Sequence, residues 1–152
     1  MYSGPLFIAS DHGGYALKNR LVRYVENELN LKIEDLGPQS YDENDDYPPY
    51  AEAVAKKVLE TEGRGILICK NGIGVCIAAN KEHSIRAGIG YNLMAAETMM
   101  SDDNTNVLCL ASKLGSEEHS MAVLRKWLET EFSEAERHER RLREVKEIEE
   151  KN

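Results

Sequence analysis

Five short runs rich in apolar and β-branched residues punctuate the chain: LFIAS at 6 to 10, KIEDL at 32 to 36, GILIC at 65 to 69, RAGIG at 86 to 90 and NVLCL at 106 to 110. Helical periodicity fills the intervals. Leu17, Leu21, Val25 and Leu29 recur at near-helical spacing between residues 14 and 29, and Ala51, Val54, Ala55 and Val58 do so between 49 and 60. Runs that stay apolar along their length belong to strands covered on both faces, and strands joined by helical crossovers are parallel. Right-handed crossovers then leave few topologies. The expected class is α/β, with a five-stranded parallel sheet between two layers of helices.

At 152 residues with 41% hydrophobic content, the chain is expected to form a single domain over 1–152 with its own core. Residues 36 to 49 are rich in Pro, Asp and Asn and read as an irregular loop rather than a linker. After Ser116 the pattern is helical to the end, in one segment with Trp127 and Leu128 and a second with Leu142, Val145 and Ile148. The last stretch, about 133–152, is too charged to be buried alone. Its narrow apolar stripe belongs either to a solvated terminal helix or to an arm lying on a partner subunit.

A formal charge of −8 argues against nucleic acid or an anionic membrane as the main partner, although a local basic cluster can still hold an anionic substrate. The first residues show no leader pattern and no apolar run approaches bilayer length, so the chain is expected to be soluble and unprocessed. Three cysteines without paired spacing fit a reducing cytoplasm, with no disulfide framework and no structural metal.

In an open parallel sheet, ligands bind beyond the carboxyl ends of the strands, where loops and helix N-termini converge. Strand one is followed by Ser10-Asp11-His12-Gly13-Gly14, strand three by Cys69-Lys70-Asn71-Gly72-Ile73-Gly74, and strand five by Ala111-Ser112-Lys113. Gly72 and Gly74, just ahead of the helical stretch VCIAANK, let backbone N–H groups turn toward a bound anion. A dinucleotide fingerprint fits poorly, because Ile77 holds the third glycine position and the loop follows strand three.

Cys69 has two readings. An inert thiol packed in an apolar run is the commoner fate of a cysteine. A thiolate base is the other, favoured by Lys70 and the adjacent helix end. Cys76 and Cys109 lack such neighbours and read as structural. Asp11 and His12 pair an acid with an imidazole, suited to a sugar hydroxyl or a phosphate, unless Asp11 simply caps a helix. Arg137 and Arg141 lie one helical turn apart, presenting two guanidinium groups either to a phosphate or to nearby glutamates.

These residues together resemble a known family. ASDHGG at 9 to 14, DYPPYA at 46 to 51, GILICKNGIGVCIAANK at 65 to 81, IRAGI at 85 to 89, NTNVLCL at 104 to 110 and RHERR at 137 to 141 are similar to the type B ribose-5-phosphate isomerases and the galactose-6-phosphate isomerase subunits. The likeness runs in order along nearly the whole chain. It implies a Rossmann-like domain with an extended C-terminal helix, and a homodimer with active sites between subunits, which can pair further into a tetramer. The implied reaction interconverts ribose 5-phosphate and ribulose 5-phosphate through an enediol, with neither a metal nor an organic cofactor. Carried over by position, the base falls on Cys69 and the anion-stabilising turn on Lys70, Asn71, Gly72, Ile73 and Gly74. Phosphate contacts fall on His12, Arg137 and Arg141, and the sugar site on Asp11 and Tyr47. Some members use a glutamate base where this chain has Val75, which leaves the role to Cys69.

Several positions depart from the family pattern. Asp102-Asp103 stands where a His-Asn pair is usual, so Asp102 becomes the candidate for ring opening, with Asp103 beside it in the substrate site. A carboxyl group is a poor proton donor near neutral pH unless it is buried. Asp11 and solvent are its rivals. Lys113 replaces a phosphate-binding arginine, keeping the charge and losing the bidentate fork. Lys70-Asn71 replaces Gly-Thr. Three other functions compete on these grounds: an isomerase of a hexose 6-phosphate such as allose or galactose 6-phosphate, a non-catalytic sugar-phosphate-binding subunit, and a flavodoxin-like signalling domain. The last is weakened by the Cys69 loop and the C-terminal basic cluster.

Overall fold

The computed structural model describes all residues, 1–152. The order of elements is β1 (Leu6–Ser10), a 3-10 turn (His12–Gly14), α1 (Tyr15–Asn27), β2 (Glu34–Asp35), α2 (Tyr47–Thr61), β3 (Arg64–Cys69), α3 (Ile73–Ala79), β4 (Ala87–Ile89), α4 (Leu93–Ser101), β5 (Val107–Ala111), α5 (Glu117–Glu129) and α6 (Glu136–Glu150). All strand pairs are parallel, in the order β2-β1-β3-β5-β4. The expected Rossmann-like α/β class is what forms.

Alternation along the buried strands divides the core. Leu6, Ile8, Ile66, Ile68, Leu108 and Leu110 face Leu21 and Val25 of α1, Met100 of α4, and Leu124 and Trp127 of α5. Phe7, Ala9, Leu67, Cys69, Val107 and Cys109 face Ala51, Val54 and Val58 of α2 and Val75 and Ala79 of α3. Each fully buried Val, Leu or Ile contributes about 1.5–3 kcal/mol. Cys69 is thus the last inward residue of β3 on the α2–α3 side. The indole N–H of Trp127 is not left unpaired: it donates to Thr105 Oγ1 at 2.9 Å.

The differences from expectation are local. The second run pairs over Glu34–Asp35 alone, opposite Phe7 and Ile8. Its flanking residues Ile33 and Leu36 pack against the two cores instead of extending the ladder. The helix α4 has no polar–apolar stripe to announce it, since Leu93, Met94, Ala95, Ala96, Met99 and Met100 crowd nine residues; it starts where Asn92 Oδ1 accepts the N–H of Ala95 at 2.7 Å. The two expected C-terminal helical segments form, parted at residues 130–135. No helix is long and apolar enough to cross a membrane.

From β1 the chain crosses to β2 on one side and, through α2, to β3 on the other. Loops leaving β1 and β3 therefore diverge and open a crevice at their carboxyl ends. Ser10 lies beside Ile68, and Cys69 beside Ala111, so three loop starts meet at that crevice.

Candidate active site

The loop after β3 is folded around the Cys69 side chain. The thiol is buried, accepts the N–H of Gly72 at 3.2 Å and lies 3.6 Å from Asn71 Oδ1. The same Asn71 oxygen accepts the N–H of Ile73 at 3.0 Å, fastening the first turn of α3 to the loop. Gly72 has φ +75°, and a Cβ there would come within 3.2 Å of the Leu110 carbonyl group. Only glycine makes this turn without strain. A Cβ on Gly74 would meet the Tyr47 ring at 2.7 Å, so Tyr47, at the start of α2, lies directly over the glycine turn.

The β1 loop completes the near wall. Asp11 is buried and its Oδ1 accepts the N–H of Gly14 at 3.2 Å, so it does cap the 3-10 turn. His12 is held by a residue that the sequence did not single out: Asp45 Oδ1 is 2.8 Å from both the backbone nitrogen and Nδ1 of His12. That hydrogen bond raises the His12 pKa above the ordinary histidine value. Burial works against it, the charges of Asp11 and Asp45 reinforce it, and Lys70 opposes it. Gly13 lies against the Lys70 stem, and its carbonyl accepts from Ser112 Oγ at 2.5 Å. Lys113 N–H donates to the Lys70 carbonyl at 3.0 Å, which ties the β5 loop to the β3 loop. Behind them Gly13, Ser112, Lys113 and Ser116 line a 140 Å³ cavity.

Asp11, His12, Tyr47, Lys70 to Gly74, Cys69 and Lys113 therefore converge within one chain. Cys76, on α3, donates to the Ala87 carbonyl at 3.3 Å, and Cys109 is buried in β5; the neighbouring Cys109 thiol lowers the Cys76 pKa, while burial raises that of Cys109 strongly.

A family model described as ribose/galactose isomerase matches residues 6–145. The chain belongs to the ribose/galactose isomerase family. Among solved structures, this isomerase superposes with a TM-score of 0.93 on ribose-5-phosphate isomerase B of Mycoplasma genitalium with bound ribulose 5-phosphate, at 36% identity and with 100% of both chains covered. The corresponding enzyme of Clostridium thermocellum gives 0.92 at 34% identity, covering 97% of this chain and 98% of that one. A Mycolicibacterium smegmatis relative, D-erythrulose-4-phosphate isomerase 2, is 33% identical over 129 residues, 84% of this chain and 85% of its own.

The remaining candidates of the isomerase lie elsewhere. Asp102 ends α4 and Asp103 follows it, both ahead of β5, whereas Cys69 adjoins the far end of that strand at Ala111. Five strand residues at about 3.3 Å each separate them by roughly 15 Å. Asp102 is not deeply buried: its side chain is 44% exposed, accepts from Ser101 Oγ at 2.6 Å and stands 3.8 Å from His138 Nδ1. Arg137 and Arg141 share this end of the sheet. Ser133 N–H bonds to the Ser101 carbonyl at 3.0 Å, buried His138 accepts from Arg137 Nε at 3.2 Å, and Glu149 Oε1 accepts the N–H of Ser84 at 2.7 Å. On α6 it is Arg140 that pairs with Glu136; Arg137 and Arg141 form no ion pair with a carboxylate. Asp102 and Asp103 precede the fifth apolar run whereas Cys69 follows the third, so their separation could have been read from the order of the sequence in a parallel sheet; Arg137 and Arg141, on a helix with no strand beside it in the chain, could not be placed this way.

Proposed function

We propose that the chain interconverts ribose 5-phosphate and ribulose 5-phosphate, with Cys69 as the base. The observation that carries this reading is the seat of the Cys69 thiol: buried at the crevice, accepting the Gly72 N–H and donating to Asn71 Oδ1, so that the loop fixes the sulfur where three strand ends meet. A ligand of the Mycoplasma genitalium relative, ribulose 5-phosphate, supports the choice of pentose phosphate. In the forward direction the thiolate takes the C2 proton of the open-chain aldose and returns it to C1, leaving a ketone at C2 after a proton passes between the two oxygens. Backbone N–H groups of the turn stabilise the developing oxyanion. Val75, buried on α3, offers no competing carboxylate.

The site is completed by a second copy in this proposal, and the chain acts as a homodimer. Asp102, Asp103, Arg137 and Arg141 of one subunit approach Cys69 of the other, with the Asp102 carboxylate acting as base on the anomeric hydroxyl while solvent protonates the ring oxygen, and the arginines joining His12 and Lys113 on the phosphate. Two features support it: the roughly 15 Å separation within one chain, and an exposed apolar border beside the crevice formed by Ile73, Ile77, Tyr91, Leu93, Met94 and Leu114. Isolated chains seldom expose that many large apolar side chains together.

A second reading, a sugar phosphate of different length, is favoured by Lys70, whose stem packs against Gly13 of the β1 loop, and by the relative named D-erythrulose-4-phosphate isomerase 2. A coupled isomerase assay on tetrose, pentose and hexose phosphates decides between them. The expected result is highest kcat/KM on ribose 5-phosphate, abolished in Cys69→Ala. A higher value on the erythrose or allose phosphate transfers the assignment to that substrate, and no turnover by the pure chain makes it a binding subunit.

A further inference from the structure

We propose that Asp45 positions His12 for the phosphate: one carboxylate oxygen anchors both the backbone N–H and Nδ1 of His12, leaving the Nε2 edge to face the anionic end of the substrate. This rests on the reading of His12 as a phosphate contact given above. Asp45 reaches His12 from the loop between β2 and α2, thirty-three residues away in the chain, and two contacts of 2.8 Å to one oxygen fix both the position of the backbone and the plane of the ring. The Nε2 atom has no hydrogen-bond partner within the chain. The Tyr41 ring stands nearly perpendicular to the imidazole, at 87° with centroids 6.5 Å apart.

The Asp45 carboxylate is itself confined. Its side chain is 8% exposed, and Oδ2 is buried with no hydrogen-bond partner. A buried carboxylate with one oxygen unpaired gains by keeping a cation beside it. The charged groups facing the imidazole are Asp11 from its own loop, Asp45 from the β2–α2 loop and Lys70 from the β3–α3 loop. Two carboxylates against one ammonium favour imidazolium, and a cationic Nε2–H is the form that donates a charge-assisted hydrogen bond to phosphate. Tyr50 also neighbours Asp45, and its pKa is raised by burial first and by the Asp45 charge second, so its hydroxyl stays protonated.

The test uses Asp45→Asn, which keeps the shape and the acceptor oxygen, and Asp45→Glu, which keeps the charge. The His12 resonance, assigned by its loss in His12→Gln, is titrated by NMR without substrate, and KM for ribose 5-phosphate is followed against pH. Asp45→Asn is expected to lower the His12 midpoint, raise KM by up to about tenfold for each pK unit of displacement at pH above both midpoints and by less at neutral pH, and move the pH limb of kcat/KM equally, with a smaller change in kcat. Asp45→Glu restores the midpoint. In a His12→Gln background, Asp45→Asn adds nothing further to KM. An unchanged His12 midpoint in folded Asp45→Asn overturns the positioning role. A midpoint that moves while KM and its pH limb do not overturns the phosphate role of His12 instead.

Discussion

The backbone nitrogen of Gly72 lies 3.2 Å from the Sγ of Cys69 and donates its hydrogen to it across a three-residue turn. One peptide group thus couples the shape of the glycine turn to the position of the sulfur. The first prediction follows from this coupling. Cys69→Ala is expected to lower kcat by about 10²–10⁴-fold, the range for a positioned general base, with the KM changed far less. Cys69→Ser keeps the hydrogen bond and is expected to be nearly as slow, because an alcohol does not ionise near neutral pH. Steady-state kinetics, with circular dichroism as the control for folding, measure both.

Gly72→Ala tests the turn itself. At φ +75° a side chain costs about 1–2 kcal/mol, and its Cβ would crowd the Leu110 carbonyl at 3.2 Å. The expected outcome is a stability loss of that size in urea unfolding. A fall in kcat of up to about 100-fold accompanies it, as the N–H moves off the sulfur.

Lys18 is fully buried, and its ammonium bonds to Asp35 and to Asn19 Oδ1 at 3.2 Å, with the Tyr15 ring 5.5 Å away. Asp35 also accepts the Gly37 N–H at 2.9 Å, so this pair pins the start of the loop that carries Asp45 and leads to Tyr47. Asp35→Ala strands the ammonium and is expected to destabilise the protein by about 3–5 kcal/mol. Lys18→Met, which leaves a partly exposed carboxylate instead, is expected to cost less. Chemical denaturation of the two variants gives the comparison.

Stability should also report on His12. Its folded pKa is raised, so the stabilisation is fully present below the unfolded value of about 6.5 and is lost as pH rises through the higher folded value. Asp45→Asn removes the main cause. The Tm gap between wild type and Asp45→Asn is therefore expected to be wider near about pH 6 than near about pH 8.5. A gap that widens toward alkaline pH contradicts the His12–Asp45 linkage.

Much of the near half of the site was legible because strand ends in a parallel sheet are readable from apolar runs, and Asp11, His12, Cys69 to Gly74 and Lys113 all follow such runs directly. Asp45 was not, because a polar loop carries no periodicity and its partner is thirty-three residues away. Tyr47 came from the family resemblance; its contact with Gly74 depends on how α2 packs on α3. The strand β2 was read from the sequence but too long, for a related reason: Ile33 and Leu36 look like strand residues but serve the core. Arg137 and Arg141 were readable as a pair and not as a place, since the end of the sheet on which α6 lies is set by long-range contacts such as the Ser133 N–H with the Ser101 carbonyl, at 3.0 Å, and the Ser84 N–H with Glu149, at 2.7 Å.

The central claim is that Cys69 of one copy works with Arg137 and Arg141 of another, and mixing two inactive variants tests it most directly. Cys69→Ala and Arg141→Ala are each purified, combined in equal amounts, dissociated and reassociated, and heterodimers are counted by native mass spectrometry. Random pairing makes half of the dimers mixed, each with one intact site, so activity is predicted to return to about a quarter of the wild-type value. Heterodimers that form in those proportions and stay at the baseline of the two variants would contradict a site shared between copies.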